Sequence, residues 1–171
     1  MARYGVLTRA DASLYLSYIY LRYEENPNKA LYYAKRLHVR YPNNLFYRAK
    51  YAESLALEGN YSACAPLLDA LFGSPLPYYR LGAFFMRGLI REKAKKQNLL
   101  AMQDYQRALD EAKKISYIGN FFKCASWAGL GRMHEAANNK RKAKDAYKAV
   151  LRETESDMLR QEAKQALKRL K

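Results

Sequence analysis

The feature that most constrains the fold is a helix–turn–helix pattern between residues 124 and 157. At helical spacing, the first segment places four residues on one face: Trp127, Leu130, Gly131 and His134. Asn138-Asn139 then predicts a turn. The second segment places three residues on its own inner face: Ala143, Tyr147 and Val150. Gly131 and Ala143 are small enough to let two helix backbones approach, so the pattern predicts an antiparallel helical hairpin.

The same phase of small and large residues recurs earlier in the chain. Ala30 and Cys64 are 34 residues apart. Ala108 and Ala143 are 35 residues apart. Residues typical of turns separate the helical segments: Asn26-Pro27-Asn28 and Gly59-Asn60-Tyr61. Because Ala, Leu, Lys, Arg and Glu are plentiful while Val and Ile are sparse, the composition also favours helices over strands.

This pattern resembles the tetratricopeptide repeat, a helical hairpin of about 34 residues. The resemblance covers roughly residues 11 to 155 and is most specific in the fourth repeat, at Trp127, Leu130 and Gly131. It implies an all-α fold in a single domain, 1–171: a right-handed α-solenoid of about four hairpins. The expected repeats are 11–44, 45–76, 77–116 and 117–155. An amphipathic helix over 156–171 is expected to cap the solenoid.

The third repeat departs from the pattern, because Cys64 and Ala108 are 44 residues apart. Two registers are open for its first helix. One places these residues at packing positions: Tyr78, Leu81, Gly82 and Phe85. The other places these: Phe84, Arg87, Gly88 and Arg91. The second register buries two arginines, which is costly without partners. We therefore favour the first, with a helix from about Tyr78 to Lys95.

The sequence offers no set of side chains suited to catalysis, and we predict that the protein is not an enzyme. Catalysis needs polar groups that converge on one point. His38 and His134 have no Cys, His or carboxylate near them at metal-ligand spacing. Cys64 and Cys124 lack a CxxC pattern and are expected to be buried apolar residues. We therefore predict no metal site and no cofactor.

In the tetratricopeptide family, the first helices of successive repeats line a concave groove that receives a peptide. Carried over to the first two repeats, the resemblance implies these groove positions: Tyr15, Ile19, Arg22, Tyr23, Phe46, Ala49 and Glu53. In the last two it implies these: Tyr79, Ala83, Met86, Ala125, Ala128 and Arg132. Aromatic side chains in a concave site are typical anchors. The implied function is a scaffold or adaptor that binds a protein or peptide. The alternative is that these residues pack against further repeats of a longer protein.

The net charge of +15 supports a second hypothesis, a basic helical-repeat module that binds nucleic acid or another polyanion. The first basic cluster comprises Arg91, Lys93, Lys95 and Lys96. The second comprises Lys140, Arg141, Lys142 and Lys144. No RNA-stacking or recognition-helix pattern accompanies them. The charge therefore favours an acidic protein partner over nucleic acid.

No stretch of the sequence approaches the roughly 20 apolar residues of a membrane span. The N-terminal segment also lacks the small-residue cleavage site of a signal peptide. We expect a cytoplasmic location if Met1 is the native start, and assign no compartment if the chain is a fragment of a longer repeat protein. A third hypothesis makes the chain the regulatory or adaptor end of a larger enzyme.

Overall fold

A computed structural model of the chain describes residues 9–24, 26–115 and 120–171. These residues form ten α-helices and no β-strand, which confirms the predicted all-α class. In chain order the helices are α1 (Arg9–Arg22), α2 (Pro27–Arg40), α3 (Leu45–Glu58), α4 (Tyr61–Cys64), α5 (Leu68–Phe72), α6 (Pro77–Lys93), α7 (Asn98–Ala112), α8 (Asn120–Ala136), α9 (Lys140–Glu153) and α10 (Asp157–Arg169). The predicted boundary between the third and fourth repeats, 116–117, lies outside the described residues.

The expected second helix of the second repeat is not continuous. After α4 a 3₁₀ turn spans Ala65–Leu67, and α5 begins at Leu68. Pro66 has no N–H to donate, and its ring disfavours an unbroken α-helix at this point. The chain also divides here into two compact units. We call them the N-terminal lobe, Met1–Leu67, and the C-terminal lobe, Leu68–Lys171.

Asparagine side chains cap the helix that begins after each of three turns. Each Oδ1 accepts a hydrogen bond from the amide three residues later, in the pairs Asn26–Lys29 (3.1 Å), Asn60–Ala63 (3.4 Å) and Asn139–Lys142 (3.2 Å). These bonds satisfy amides that have no partner within the helix. In two of the turns the residue before the cap has a left-handed backbone, Gly59 at φ +93° and Asn138 at φ +54°. Both residue types tolerate that conformation.

In the N-terminal lobe, α2 packs against both α1 and α3, and α3 packs against α4. The buried apolar residues are mostly small: Ala30, Ala34, Leu37, Ala52, Leu55, Ala56 and Cys64. Helix α1 contributes little to this core. Its buried residues are Ser13 and Ser17, whose hydroxyls donate to carbonyls of the same helix. Most of the apolar surface of α1 is therefore half-buried or exposed.

In the C-terminal lobe, the helices pack in chain order from α5 to α10. In addition α6 contacts α8, and α8 contacts α10. Two buried tyrosines lie against glycines of neighbouring helices. A Cβ atom placed on Gly131 would lie 2.7 Å from the ring of Tyr147, and one on Gly88 would lie 2.8 Å from the ring of Tyr105. Glycine is needed at both positions because the tyrosine ring occupies the space of a side chain.

These paired contacts favour the second register for the third repeat. Gly88 lies against Tyr105 as Gly131 lies against Tyr147, so Gly88 is the structural counterpart of Gly131. Gly82, the glycine of the register that we favoured, lies instead against Phe122 of α8. By the same alignment the counterpart of Ala143 is Ala101, four residues before the tyrosine, and not Ala108. Ala108 and Ala143, which are 35 residues apart, are therefore not equivalent positions in successive repeats.

Candidate protein-binding surface

The N-terminal lobe presents an apolar stripe on α1. Tyr15 and Ile19 lie four residues apart on one face of α1, and Tyr23, directly after the helix, continues the same spacing. Tyr15 is 57% exposed, Tyr23 is 73% exposed, and Ile19 is also exposed. Large exposed apolar patches are uncommon on monomers, so these three neighbouring side chains are the candidate binding surface of this lobe. We call these three residues the α1 stripe.

A charged contact joins α1 to α3 beside the stripe. The Arg22 guanidinium donates to Glu53, and Lys50 Nζ lies 3.1 Å from the other carboxylate oxygen of Glu53. Burial by itself would raise the pKa of Glu53, but the charges of Arg22 and Lys50 outweigh it, so the pKa lies below its ordinary value. Glu53 is therefore ionised at neutral pH and holds the two helices together.

The other predicted groove positions of α3 are partly covered. Phe46 and Ala49 are half-buried. The Lys50 ammonium lies 5.7 Å from the centre of the Phe46 ring, within the range of a cation–π contact. Phe46 therefore offers one face at most to a ligand. Arg22 and Glu53, predicted as groove residues, serve mainly to join α1 to α3.

In the C-terminal lobe the predicted groove positions do not form an accessible surface. Four are buried: Ala83, Met86, Ala125 and Ala128. Tyr79 is half-buried. Since α6 packs directly against α8, the four buried side chains serve close helix contact and are not available to a ligand. These four positions therefore do not line an accessible groove, and the role of Tyr79 stays a prediction.

Arg132, the remaining predicted groove residue, is a cross-link between three helices. Its guanidinium donates to both carboxylate oxygens of Glu92 on α6, at 2.7 and 2.9 Å, and to Glu162 on α10, at 2.5 Å. The Tyr105 hydroxyl donates to Glu92 at 2.6 Å. Burial would raise the pKa of Glu92, yet the bonds from Arg132 and Tyr105 lower it to about 2.

Asp104 is the buried ion-pair partner that sequence reasoning missed. It is fully buried and accepts from Arg87 at 2.7 and 3.0 Å and from Arg91 at 2.7 Å. Both arginines that seemed costly to bury therefore have a partner and remain partly solvated. Arg91, predicted to bind a polyanion, is engaged by this carboxylate. The signal in the sequence was an aspartate on the face of α7 that otherwise carries Ala101, Tyr105 and Ala108.

The other residues of the two basic clusters are mostly exposed. Lys93 pairs with Glu92 at 2.9 Å, and Lys144 is half-buried. The remaining five are exposed and have no ion pair with any described residue: Lys95, Lys96, Lys140, Arg141 and Lys142. These side chains are free to meet an anionic surface.

The surroundings of the two histidines and the two cysteines fit a structural role. His38 stacks on Tyr51, with ring centres 5.2 Å apart. Burial and a nearby cation lower the pKa of both histidines, Arg48 acting on His38 and Lys142 on His134. Burial raises the pKa of the Cys64 thiol to about 12 and that of Cys124 to about 11, which keeps both thiols protonated.

Within the described residues there is no group of three or more His, Cys, Asp or Glu side chains placed to hold a metal ion. Over the same residues, no helix combines the length and the apolar character needed to cross a membrane. A scan against models of known protein families finds no match to the chain, and a search of curated proteins finds none.

Proposed function

We propose that this chain is a helical-repeat protein that binds a protein or peptide through the α1 stripe of its N-terminal lobe. The observation that carries the proposal is the exposure of Tyr15 and Ile19 on one face of α1 and of Tyr23 directly after the helix. Their partner is a segment that presents apolar side chains, because the stripe offers ring and aliphatic surface with little free charge. Catalysis has no part in the proposal.

Tyrosine suits this role. It supplies a large apolar ring and a polar tip, and only a few rotatable bonds must be fixed when it is covered. Tyr and Trp are also the residues that most often dominate the energy of protein interfaces. The ion pair between Arg22 and Glu53 supports the proposal because it holds α1 against α3 and so fixes the stripe before a partner arrives.

The resemblance to tetratricopeptide repeats belongs to the same proposal. Two hairpins of the C-terminal lobe share a glycine on the first helix that lies against a tyrosine on the second, the contacts Gly88–Tyr105 and Gly131–Tyr147. Equal contacts in successive hairpins support a repeat architecture. We extend this to a right-handed solenoid with α10 as its capping helix, the arrangement that such repeats adopt.

The test uses peptides selected by phage display on the purified chain, with dissociation constants measured by calorimetry. We expect the changes Tyr15→Ala and Tyr23→Ala to weaken a selected peptide by about tenfold each, since each removes a ring from the contact. The matched control is Tyr32→Ala on α2, because Tyr32 is also 57% exposed but lies on another helix. It should change the affinity by no more than about twofold. Peptides that bind the stripe variants as tightly as the original chain would refute the proposal.

A further inference from the structure

The first helices of the C-terminal hairpins run parallel, so their ends meet at one edge. Gly82 lies against Phe122, and Glu92 pairs with Arg132; both pairs join α6 to α8 across 40 residues of chain. When residues that pair between two helices keep the same separation in sequence along both helices, the helices run in the same direction. Arg132 pairs with Glu162, and Glu135, further along α8, pairs with Arg169, further along α10. The carboxyl ends of α6, α8 and α10 therefore lie at the same edge.

That edge is rich in cations, and we call it the basic edge. It comprises the end of α6 and the following turn, the start of α9, and the end of α10: Lys93, Lys95, Lys96, Lys140, Arg141, Lys142, Lys168, Arg169 and Lys171. Lys93 pairs with Glu92, and Arg169 pairs with Glu135. The other seven cations are exposed and form no ion pair with any described residue.

The opposite edge of the same lobe is closer to electrical balance. Four of its cations pair with neighbouring carboxylates, in the contacts Lys113–Asp110 (2.8 Å), Lys114–Glu111 (2.9 Å), Lys123–Glu153 and Arg160–Asp157 (3.4 Å), and the exposed Arg152 has no ion pair with a described residue. The lobe as a whole contains 22 Lys and Arg against 11 Asp and Glu. Most of this excess is therefore concentrated at the basic edge, where carboxylates are few; Asp145 is an exposed one nearby.

Helix stability does not explain all of these cations. Lys93 and Lys168 lie at carboxyl ends of helices, where the helix dipole favours positive charge. Lys140, Arg141 and Lys142 lie in the first turn of α9, where the dipole disfavours it and where no acidic residue is present. These three residues reduce the stability of the helix that carries them, which points to a role in binding.

Two exposed leucines lie beside these cations. Leu99 and Leu100 occupy the first turn of α7, three and four residues after Lys96. Leu99 is 69% exposed, and Leu100 is also exposed. Within the described part of this lobe no exposed large apolar side chain is aromatic. The edge therefore offers positive charge and aliphatic surface, but no exposed Tyr, Phe or Trp ring on which nucleic-acid bases could stack.

We propose that the basic edge binds the surface of an anionic lipid bilayer, with the lysines facing the headgroups and Leu99 and Leu100 entering the interfacial layer. An anionic leaflet attracts clustered Lys and Arg, and short aliphatic insertions add to that attraction. A bilayer uses both features of this edge. Nucleic acid would use the cations alone. This surface lies in the C-terminal lobe and is independent of the α1 stripe.

The test is co-sedimentation of the full chain with vesicles of phosphatidylcholine, with or without about 30 mol% phosphatidylserine. We expect binding to the anionic vesicles that is at least about tenfold tighter than to neutral ones and that weakens in high salt. Lys95→Glu with Lys96→Glu should weaken it by about tenfold. Leu99→Ser with Leu100→Ser should weaken it by about fivefold while leaving it sensitive to salt.

Matched controls lie at the opposite edge. Leu76→Ser alters a leucine that is 56% exposed just before α6, and Lys113→Glu reverses an exposed charge at the end of α7. Both should change vesicle binding by less than about twofold. Circular dichroism of each variant checks that the helices are retained.

A fluorescent label reports insertion directly. Leu99→Cys, labelled with an environment-sensitive dye, should shift to shorter wavelength on anionic vesicles, whereas the same label at Leu76→Cys should not. Cys64 and Cys124 are buried and will not compete for the dye. Absence of binding to anionic vesicles would overturn the proposal. Vesicle binding that ignores the leucine changes, or tighter binding to duplex RNA that depends on the lysines alone, would overturn it equally and indicate a general polyanion site.

Discussion

At the scale of single residues, glycine and tyrosine together set how closely the helices of the C-terminal lobe approach. Tyr105 is fully buried between Gly88 on α6 and Gly129 on α8. Tyr147 lies against Gly131 in the next hairpin. Each ring fills a space that a side chain on the facing helix would otherwise need. These positions should therefore tolerate change poorly even though Ala is normally the better helix residue.

Replacing Gly131 tests this packing. Gly131→Ala should destabilise the protein by about 1–3 kcal/mol, because the new methyl group would lie 2.7 Å from the Tyr147 ring and force it to move. Gly73→Ala is the control, since the nearest atom to its new methyl group would lie at 3.7 Å. It should change stability by less than about 0.5 kcal/mol in urea unfolding. Equal stability of the two variants would contradict the packing argument.

At the scale of elements, the turns show why helices begin where they do. Asn26, Asn60 and Asn139 each cap a helix with a side-chain hydrogen bond. The turn between α6 and α7 lacks such a cap, as does the start of α6, where Leu76 makes no side-chain bond. Gln97 at the cap position makes no side-chain bond, and Lys96 before it has a left-handed backbone at φ +53°. The start of α7 is therefore less well satisfied than the starts of α2, α4 and α9.

Two reciprocal changes test the value of the cap. Gln97→Asn should stabilise the protein by about 0.5–1 kcal/mol, because the shorter side chain can accept from an amide in the first turn of α7. Asn139→Gln should destabilise it by about 1 kcal/mol by removing the existing cap of α9. Thermal unfolding of both variants measures the effect. If the two changes shift stability in the same direction, side-chain capping is not what distinguishes the turns.

At the scale of the whole molecule, some charged side chains form ion pairs between helices while others have no partner among the described residues. Pairs such as Glu53 with Arg22, Asp104 with Arg87 and Glu92 with Arg132 lie between helices and hold them together. Many of the other cations lie at the basic edge and form no ion pair with any described residue. Removing one partner of a buried pair leaves an uncompensated charge, so each of these contacts stabilises the fold only while both partners are present.

Acid unfolding tests the Glu92 contact. Its pKa in the folded state, about 2, lies below the ordinary value of 4.5. The contact therefore stabilises the fold fully above about pH 4.5 and is lost as the pH falls toward 2. Glu92→Gln should lose about 2 kcal/mol at neutral pH and show a flatter decline of stability in acid. Glu155→Gln, at an exposed position, is the control. An acid profile of Glu92→Gln as steep as that of the original chain would contradict the assignment.

The sequence alone determined the helical class, because the spacing of small and apolar residues and the Asn turns are local properties of the chain. It also named the residues of the α1 stripe, through a family resemblance, and the two basic clusters as candidates, and their roles in binding stay predictions. Tertiary structure decided which helix faces meet. The predicted groove positions Ala83 and Met86 became buried once α6 packed on α8. Arg87 and Arg91 could occupy packing positions because Asp104 lies opposite them. A buried charge depends on a partner brought by another helix, and that partner is visible only after folding.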